Sequence, residues 1–374
     1  MQVPMLDLKE QYQNLKTEIH ASLEDVMSSS TFILGKNVKK LEQDVADYSN
    51  VKYGVGVASG SDALHISLLG CGVEEGDEVI TTAFTFFATA GAIGRINAKP
   101  VFVDIDPKTF NIDPTKIEAA ITEKTKAIIP VHLYGQMADM DPIVEIAKKH
   151  NLAIIEDAAQ AIGATYKGKK VGELGTTACY SFFPTKNLGA YGDAGMIVTD
   201  DEAIAEKMSV IRVHGSKPKY YHHVLGYNSR LDELQAAILN VKFPHLDDWS
   251  NLRREKAHTY NQLINEQLSD VIVTPFEEEH NHHIFHQYTL RVQDRDELQS
   301  YLKDHGVSTM VYYPKPLHLQ PVFEYLGYKE GDLPVTEKAC QEALSLPMFP
   351  ELKQEQQSYV VEQIANFYKE KAKA

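Results

Sequence analysis

The sequence predicts an α/β protein with a large domain over residues 1–245 on a mainly parallel, mixed sheet. A smaller α+β domain is expected over 246–374. Three observations predict this. From residue 51 onward, short apolar runs alternate with helical patterns, as in strand–helix–strand units that cover both faces of a parallel sheet. A long, charged helical stretch at 246–267 then interrupts that alternation, and the elements after it follow a different order. Finally, a chain of 374 residues with 43% hydrophobic and 24% charged residues can build more than one buried core.

The opening segment is helical: Leu8, Tyr12, Leu15, Ile19, Leu23 and Val26 recur at spacings of three and four. Residues 32–35 (Phe-Ile-Leu-Gly) break the stripe, and Val38, Leu41, Val45 and Tyr48 resume it. Strands are expected at 54–58, 78–82, 99–103, 127–131 and 152–156, with helices at 63–69, 89–96, 115–121 and 141–149 between them. Apolar runs at 179–183 and 196–199 extend the sheet. Helical stretches at 203–213 and 231–243 lead into the long one at 246–267. In the second domain, strands are expected at 271–273, 286–292 and 308–311, and helices at 296–305 and 354–371. Val360, Val361, Ile364 and Phe367 give the last helix a packing face.

Composition excludes several classes of function. Asp and Glu number 52 against 37 Lys and Arg, a formal charge of −15. Such a surface repels a phosphate backbone, so nucleic acid is not an expected partner. No uncharged apolar run reaches the ~18 residues of a membrane span, and no signal-peptide pattern is present. Cys71, Cys179 and Cys340 form no CxxC pair and suit buried thiols in a reducing compartment. The expected location is cytoplasmic.

Three motifs could carry chemistry. In Gly54-Val55-Gly56-Val57-Ala58-Ser59-Gly60-Ser61-Asp62-Ala63 a strand runs through a glycine turn into a helix. Free N–H groups at such a helix start bind anions. A dinucleotide fingerprint would need its third glycine at position 59, where Ser59 stands, so NAD fits poorly. The same serines would also serve as plain helix caps. In Ile154-Ile155-Glu156-Asp157-Ala158-Ala159-Gln160 a buried strand ends in carboxylates, at the edge where open α/β sheets take ligands. A cation offsets the cost of a carboxylate there, and the protonated ring nitrogen of a pyridine cofactor is one candidate. A helix cap is the other reading of this motif. In Ser181-Phe182-Phe183-Pro184-Thr185-Lys186-Asn187-Leu188-Gly189, Lys186 is the one charge between Glu173 and Asp193. A lysine in low-dielectric surroundings gives up its proton more readily, as an amine nucleophile must. Together the motifs describe a pyridoxal phosphate site. The glycine turn and Ser181 hold phosphate, Asp157 faces the ring nitrogen, and Lys186, 29 positions after Asp157, forms the Schiff base.

With these motifs the chain resembles the DegT/DnrJ/StrS family of sugar-nucleotide aminotransferases. The resemblance is carried by residues 32–35, 60–64, 83–89, 156–160, 181–189, 227–232 and 312–318, in the family's order. It implies a fold-type I pyridoxal phosphate aminotransferase that moves an amino group from an amino acid, L-glutamate by analogy, to a keto-sugar nucleotide. The 312–318 stretch resembles the subgroup acting at C3 more than the one acting at C4. The resemblance implies Lys186 as catalytic lysine, Asp157 as partner of the ring nitrogen and Gln160 as contact to the phenolic oxygen. Phe86 would stack on the ring, and Gly60, Ser61 and Ser181 would bind phosphate. Asn228 would reach the phosphate of a neighbouring subunit, which implies a homodimer with shared active sites. Phe32, Arg230, Tyr313 and His318 match substrate-facing segments. Ala194 stands where the family usually has glycine. Lys186, rather than the histidine of the family's sugar dehydratases, points to aminotransfer. A non-catalytic regulator on the same fold is the alternative.

Other clusters carry less. His280, His282, His283 and His286 with Glu277, Glu278 and Glu279 could ligate a metal, but the pattern is that of an exposed loop between strands, and no metal is expected. Lys217 and Lys219 with Tyr220, Tyr221, His222 and His223 make a local basic run able to meet a diphosphate, or a solvated loop.

Overall fold

The computed structural model describes residues 1–373. Helix α1 (Leu8–Ser29) begins where the Asp7 carboxylate accepts the Lys9 N–H at 2.8 Å, and it buries Leu15, Ile19 and Val26. Helix α2 (Lys36–Tyr48) buries Val38, Leu41 and Val45. The alternating region then gives β1 (Tyr53–Val57), α3 (Gly60–Gly70), β2 (Glu78–Thr82), α4 (Phe87–Arg95), β3 (Lys99–Val103), β4 (Thr125–Ile129), α5 (Met140–His150) and β5 (Ala153–Asp157). Two short strands, β6 (Thr165–Tyr166) and β7 (Lys169–Lys170), precede β8 (Thr177–Ser181) and β9 (Gly195–Thr199). Helices α6 (Glu202–Ile211) and α7 (Glu233–Lys242) follow.

Seven of these strands form one sheet in the order β1-β9-β8-β5-β4-β2-β3. The run from β3 to β8 is parallel, while β9 lies antiparallel to both β8 and β1. Side chains alternate across the sheet with the period of two that strands impose. Ile154, Tyr180, Met196 and Val198 join one core with α2, α5 and α7; Ile155, Cys179 and Ile197 join another with α3, α4 and α6. The register sets the position of the site. Val57 and Ser181 both pair with Gly195, and Asp157 pairs with Cys179, so the carboxyl ends of β1, β5 and β8 meet at one edge.

The rest of the chain comprises α8 (Leu246–Gln267), β10 (Ile272–Val273), β11 (Asn281–His282), β12 (Tyr288–Val292), α9 (Arg295–Asp304), α10 (Pro334–Glu342), β13 (Ala343–Leu346) and α11 (Gln354–Lys371). Strands β10, β12 and β13 form an antiparallel sheet whose core includes Tyr260, Ile264, Leu290, Leu344, Val360 and Ile364. Val3 belongs to this second core too. Its N–H donates to the Gly306 carbonyl at 2.9 Å, and its own carbonyl accepts the Ser308 N–H at 2.9 Å. The first residues of the chain therefore pack in the C-terminal unit. Among the described residues no helix is long and apolar enough to cross a membrane.

Several expectations change in detail. The helix expected at 115–121 is two 3₁₀ turns, Pro114–Lys116 and Glu118–Ala120. Within it Ile117 is fully buried, and one such anchor does not sustain a short α-helix. The strand expected at 308–311 is an isolated bridge from Met310 to Ser345. Ser308 bonds to Val3 instead, so the segment changes partner before a ladder can form. The segment at 277–286 is packed rather than an exposed loop. Its β11 pairs with β6, and His283 stacks on Phe285 at 3.8 Å between centroids. Burial pushes the His283 imidazole down to about 3, so it is neutral.

Candidate active site

A cavity of 480 Å³ opens at the edge where β1, β5 and β8 end. Its walls contain Lys186, Asp157, Gln160, Phe86 and Tyr313, and its floor is the start of α3, with Gly60, Ser61 and Ser181. Eight of the twelve residues singled out in the sequence thus share one cavity.

The α3 end is built to receive an anion. Ser59 caps the helix, its hydroxyl oxygen accepting the Asp62 N–H at 3.1 Å. The N–H groups of Gly60 and Ser61 have no earlier turn to bond to and border the cavity. Ser181 Oγ accepts the Phe183 N–H at 3.3 Å, which leaves its own proton free to donate. Gly60 is required for this approach, because a Cβ there would stand 2.5 Å from the Ser181 Cβ. Gly60→Ala is therefore expected to push Ser181 aside and weaken phosphate binding. Cofactor affinity should fall about 10–100-fold, the worth of one charge-assisted hydrogen bond, with unchanged circular dichroism. Equilibrium dialysis against pyridoxal phosphate measures it.

Asp157 is held from two sides. Thr89 Oγ1 donates to Asp157 Oδ2 at 2.7 Å, and the Ala159 N–H donates to Oδ1 at 3.2 Å. Thr89 Oγ1 lies 3.0 Å from Thr85 Oγ1, which orients it. Burial pushes the carboxyl upward, and these donors with the nearby Lys186 charge pull it back only in part. A buried carboxylate in this state calls for a cation.

Lys186 follows β8 on the turn Phe183–Lys186, where its N–H donates to the Phe183 carbonyl at 2.8 Å. Burial lowers its amine to about 8, and Asp157 opposes that only partly. An ordinary lysine near 10.5 is well under ~1% free amine at pH 8, whereas this one is about half free. Capture of an aldehyde by the ligand-free chain should accordingly rise with pH and level off above about 8. Stopped-flow mixing with pyridoxal phosphate across pH 6–10 reads this, and a rate still climbing toward pH 10 would contradict it.

Gln160 has its orientation fixed: Oε1 accepts the Tyr134 N–H at 2.7 Å, and Nε2 donates to Tyr313 Oη at 3.3 Å. Phe86, the N-cap residue of α4, is 59% exposed, with its ring centroid 6.3 Å from that of Tyr313. An aromatic left this open beside a cavity has a face free to cover a flat ring. Ala194 also borders the cavity, and its carbonyl accepts the Phe182 N–H at 2.9 Å.

The other four residues lie elsewhere in this chain. Phe32 is exposed beside the bridge between Ile33 and Asp232, and Arg230 lies on that same strap, before α7. Asn228 is exposed and bridges to Val213. His318 is 1% exposed and set apart from the cavity, its Nε2 3.1 Å from Glu337 Oε1. Glu337 also receives the Gly331 and Leu333 N–H groups, so His318 completes a loop closure.

Sequence reasoning missed Thr89 and His132, and named His286 only within a possible metal cluster, not as part of this cavity. His132 is buried in the cavity wall. Its Nδ1 accepts the Ala138 N–H at 3.2 Å, so Nε2 carries the proton and donates to Glu156 Oε2 at 2.8 Å. His286 borders the cavity beside Lys186, 3.0 Å from Asn187 Oδ1, and burial with nearby cations keeps it neutral. Thr89 fell inside the 83–89 stretch, but its partner is remote in sequence and no local signal marks it.

An anion seat, a buried carboxylate seeking a cation and a readily deprotonated amine in one cavity match the phosphate, ring nitrogen and aldehyde of pyridoxal phosphate. Residues 13–365 match the DegT/DnrJ/EryC1/StrS aminotransferase family. The chain belongs to that family. As a member of the DegT/DnrJ/EryC1/StrS family it is a pyridoxal phosphate-dependent transaminase. It is 70% identical over 369 residues, 99% of each chain, to the pleiotropic regulatory protein of Geobacillus stearothermophilus. It is 46% identical over 354 residues, 95% of each chain, to the UDP-N-acetyl-3-dehydro-alpha-D-glucosamine 3-aminotransferase of Acidithiobacillus ferrooxidans. Among solved structures it resembles NtdA of Bacillus subtilis with bound PMP cofactor, at a TM-score of 0.92 and 36% identity. That match covers 98% of this chain and 85% of NtdA.

Proposed function

We propose that this family member moves an amino group from an amino acid, L-glutamate by family analogy, to the C3 keto carbon of a sugar nucleotide. The observation that carries the reading is the Lys186 amine and Asp157 carboxylate facing one cavity above the anion seat of α3. The Acidithiobacillus relative, named as a 3-aminotransferase of a UDP-linked sugar, supports the substrate class and the C3 position.

Pyridoxal phosphate, when bound, supplies an electron sink for the carbanion that forms as the donor loses its Cα proton. Gly60, Ser61 and Ser181 would hold its phosphate, and Phe86 would cover its ring. Asp157 would hold a negative charge beside the ring nitrogen and so keep it protonated. Gln160, its amide fixed by Tyr134, offers Nε2 to the phenolic oxygen. Lys186, its amine lowered to about 8 by burial, would take the Cα proton of the donor and, in the second half-reaction, deliver a proton to the sugar carbon. One base serving both directions gives ping-pong kinetics. Asn228, exposed and away from its own cavity, is proposed to reach the phosphate of a second copy in a homodimer. Phe32, Arg230 and Tyr313 are proposed to line the sugar-nucleotide path, whereas His318, buried against Glu337 away from the cavity, lies off it.

The Geobacillus relative's name favours a second reading, a regulator without catalysis. Lys186, Asp157 and Gln160 all standing in the cavity weigh against it. The deciding experiment offers the holoenzyme, with L-glutamate, UDP- and dTDP-linked sugars bearing a 3-keto or a 4-keto group. Mass spectrometry should find the 3-amino product. Amination of 4-keto sugars alone would overturn the C3 assignment, and no amination of any would favour the regulator.

A further inference from the structure

Lys242 is a buried charge that amino transfer leaves without a role. It ends α7 and is 1% exposed, a costly place for an ammonium group. Glu351 attracts it through space without a hydrogen bond. The ammonium donates to the Gly189 carbonyl and lies 5.1 Å from the Tyr191 ring centroid and 5.9 Å from that of Trp249, the chain's single tryptophan. Two aromatic faces stabilise a cation in such a box. Burial lowers the amine to about 8, so it is still largely protonated at neutral pH.

Gly189 belongs to the turn that carries Lys186. The Lys186 N–H bonds to the Phe183 carbonyl and the Ala190 N–H to the Phe182 carbonyl, each at 2.8 Å. The turn folds so closely that a Cβ on Gly189 would stand 2.3 Å from the Pro184 carbonyl oxygen. With its interior full, the turn directs the Gly189 carbonyl outward, where Lys242 meets it.

We propose that Lys242 is a positioning residue for Lys186: its ammonium holds the Gly189 carbonyl and fixes the turn that presents the Lys186 amine to the cavity. The proposal rests on Lys186 being the lysine that binds the cofactor.

The test compares wild type with Lys242→Met, which keeps the volume without a donor, and Lys242→Gln, which restores a donor. Each is titrated with pyridoxal phosphate while the visible band of lysine-bound cofactor and its pH midpoint are followed. Lys242→Met should bind cofactor about tenfold more weakly and shift that midpoint, with Lys242→Gln recovering most of both. A Lys242→Met protein with wild-type affinity and midpoint overturns the proposal. Should that variant not fold, hydrogen exchange of the wild-type chain decides. Slow exchange of the Lys186 and Ala190 amides supports the clamp, and exchange at the rate of an exposed loop overturns it. Absence of the band in wild type would instead refute the assignment of Lys186, a separate result.

Discussion

Lys186→Ala is expected to lower the rate of amino transfer by about 10³-fold or more, because one side chain is both nucleophile and proton carrier. The loss should lie in chemistry rather than folding. The amine is lowered to about 8 by burial, so at pH 7 the ligand-free chain still carries an ammonium in poorly hydrated surroundings. Replacing it should leave the thermal midpoint equal or higher, the usual sign of an active-site group that costs stability. The linkage has a definite sign. A lysine lowered below 10.5 binds fewer protons when folded, so its penalty is full below about pH 8 and fades as pH rises toward 10.5. The stability difference between variant and wild type should narrow over that window. A variant that loses activity together with its fold would argue that Lys186 is structural.

Asp157→Asn is expected to slow amino transfer about 10²–10³-fold, the scale of losing one preorganised electrostatic contact. Asparagine keeps an oxygen for the Thr89 hydroxyl but cannot balance a protonated ring nitrogen. In the ligand-free chain burial raises the Asp157 carboxyl, so its contribution to stability is present at low pH and lost as pH rises through the raised value. Asp157→Asn should therefore stabilise the ligand-free chain at neutral pH and lose that advantage on acidification. With cofactor bound the order should reverse, because the ring cation then compensates the carboxylate. Thermal melts at pH 4 and 7, with and without cofactor, separate these effects from loss of activity.

Long elements with local signals were legible. The stretches expected at 246–267 and 354–371 coincide with α8 and α11, whose apolar stripes run over many turns. The buried Val360, Val361 and Ile364 give α11 its packing face. Strand ends were less legible. The run expected at 127–131 is a continuous strand only over 125–129, because Pro130 has no N–H to donate; beyond it Val131 pairs with Asp157 as an isolated bridge. The run expected at 179–183 is paired at 177–181, because Phe182 leaves the sheet to bond with Ala190 and Ala194. Helix α10 was missed for a different reason. Its N-terminal Val335 and Thr336 N–H groups are capped by Asp104, more than 200 residues away, so no local cap precedes it. The same distinction governs the site. Lys186 and Asp157 are placed by the strand ends and turns that carry them, and a motif shows that. The partners Thr89 and His132 act through contacts that only the packed sheet creates.

The central claim is that Lys186 makes this chain a working transaminase. The most direct test mixes cofactor-loaded wild type with excess L-glutamate in a single turnover, following the visible band and the 2-oxoglutarate released, with Lys186→Ala alongside. The account predicts that the wild-type band disappears as about one equivalent of 2-oxoglutarate per active site forms, and that the variant does neither. A wild-type band that persists in glutamate with no oxo acid released would contradict it.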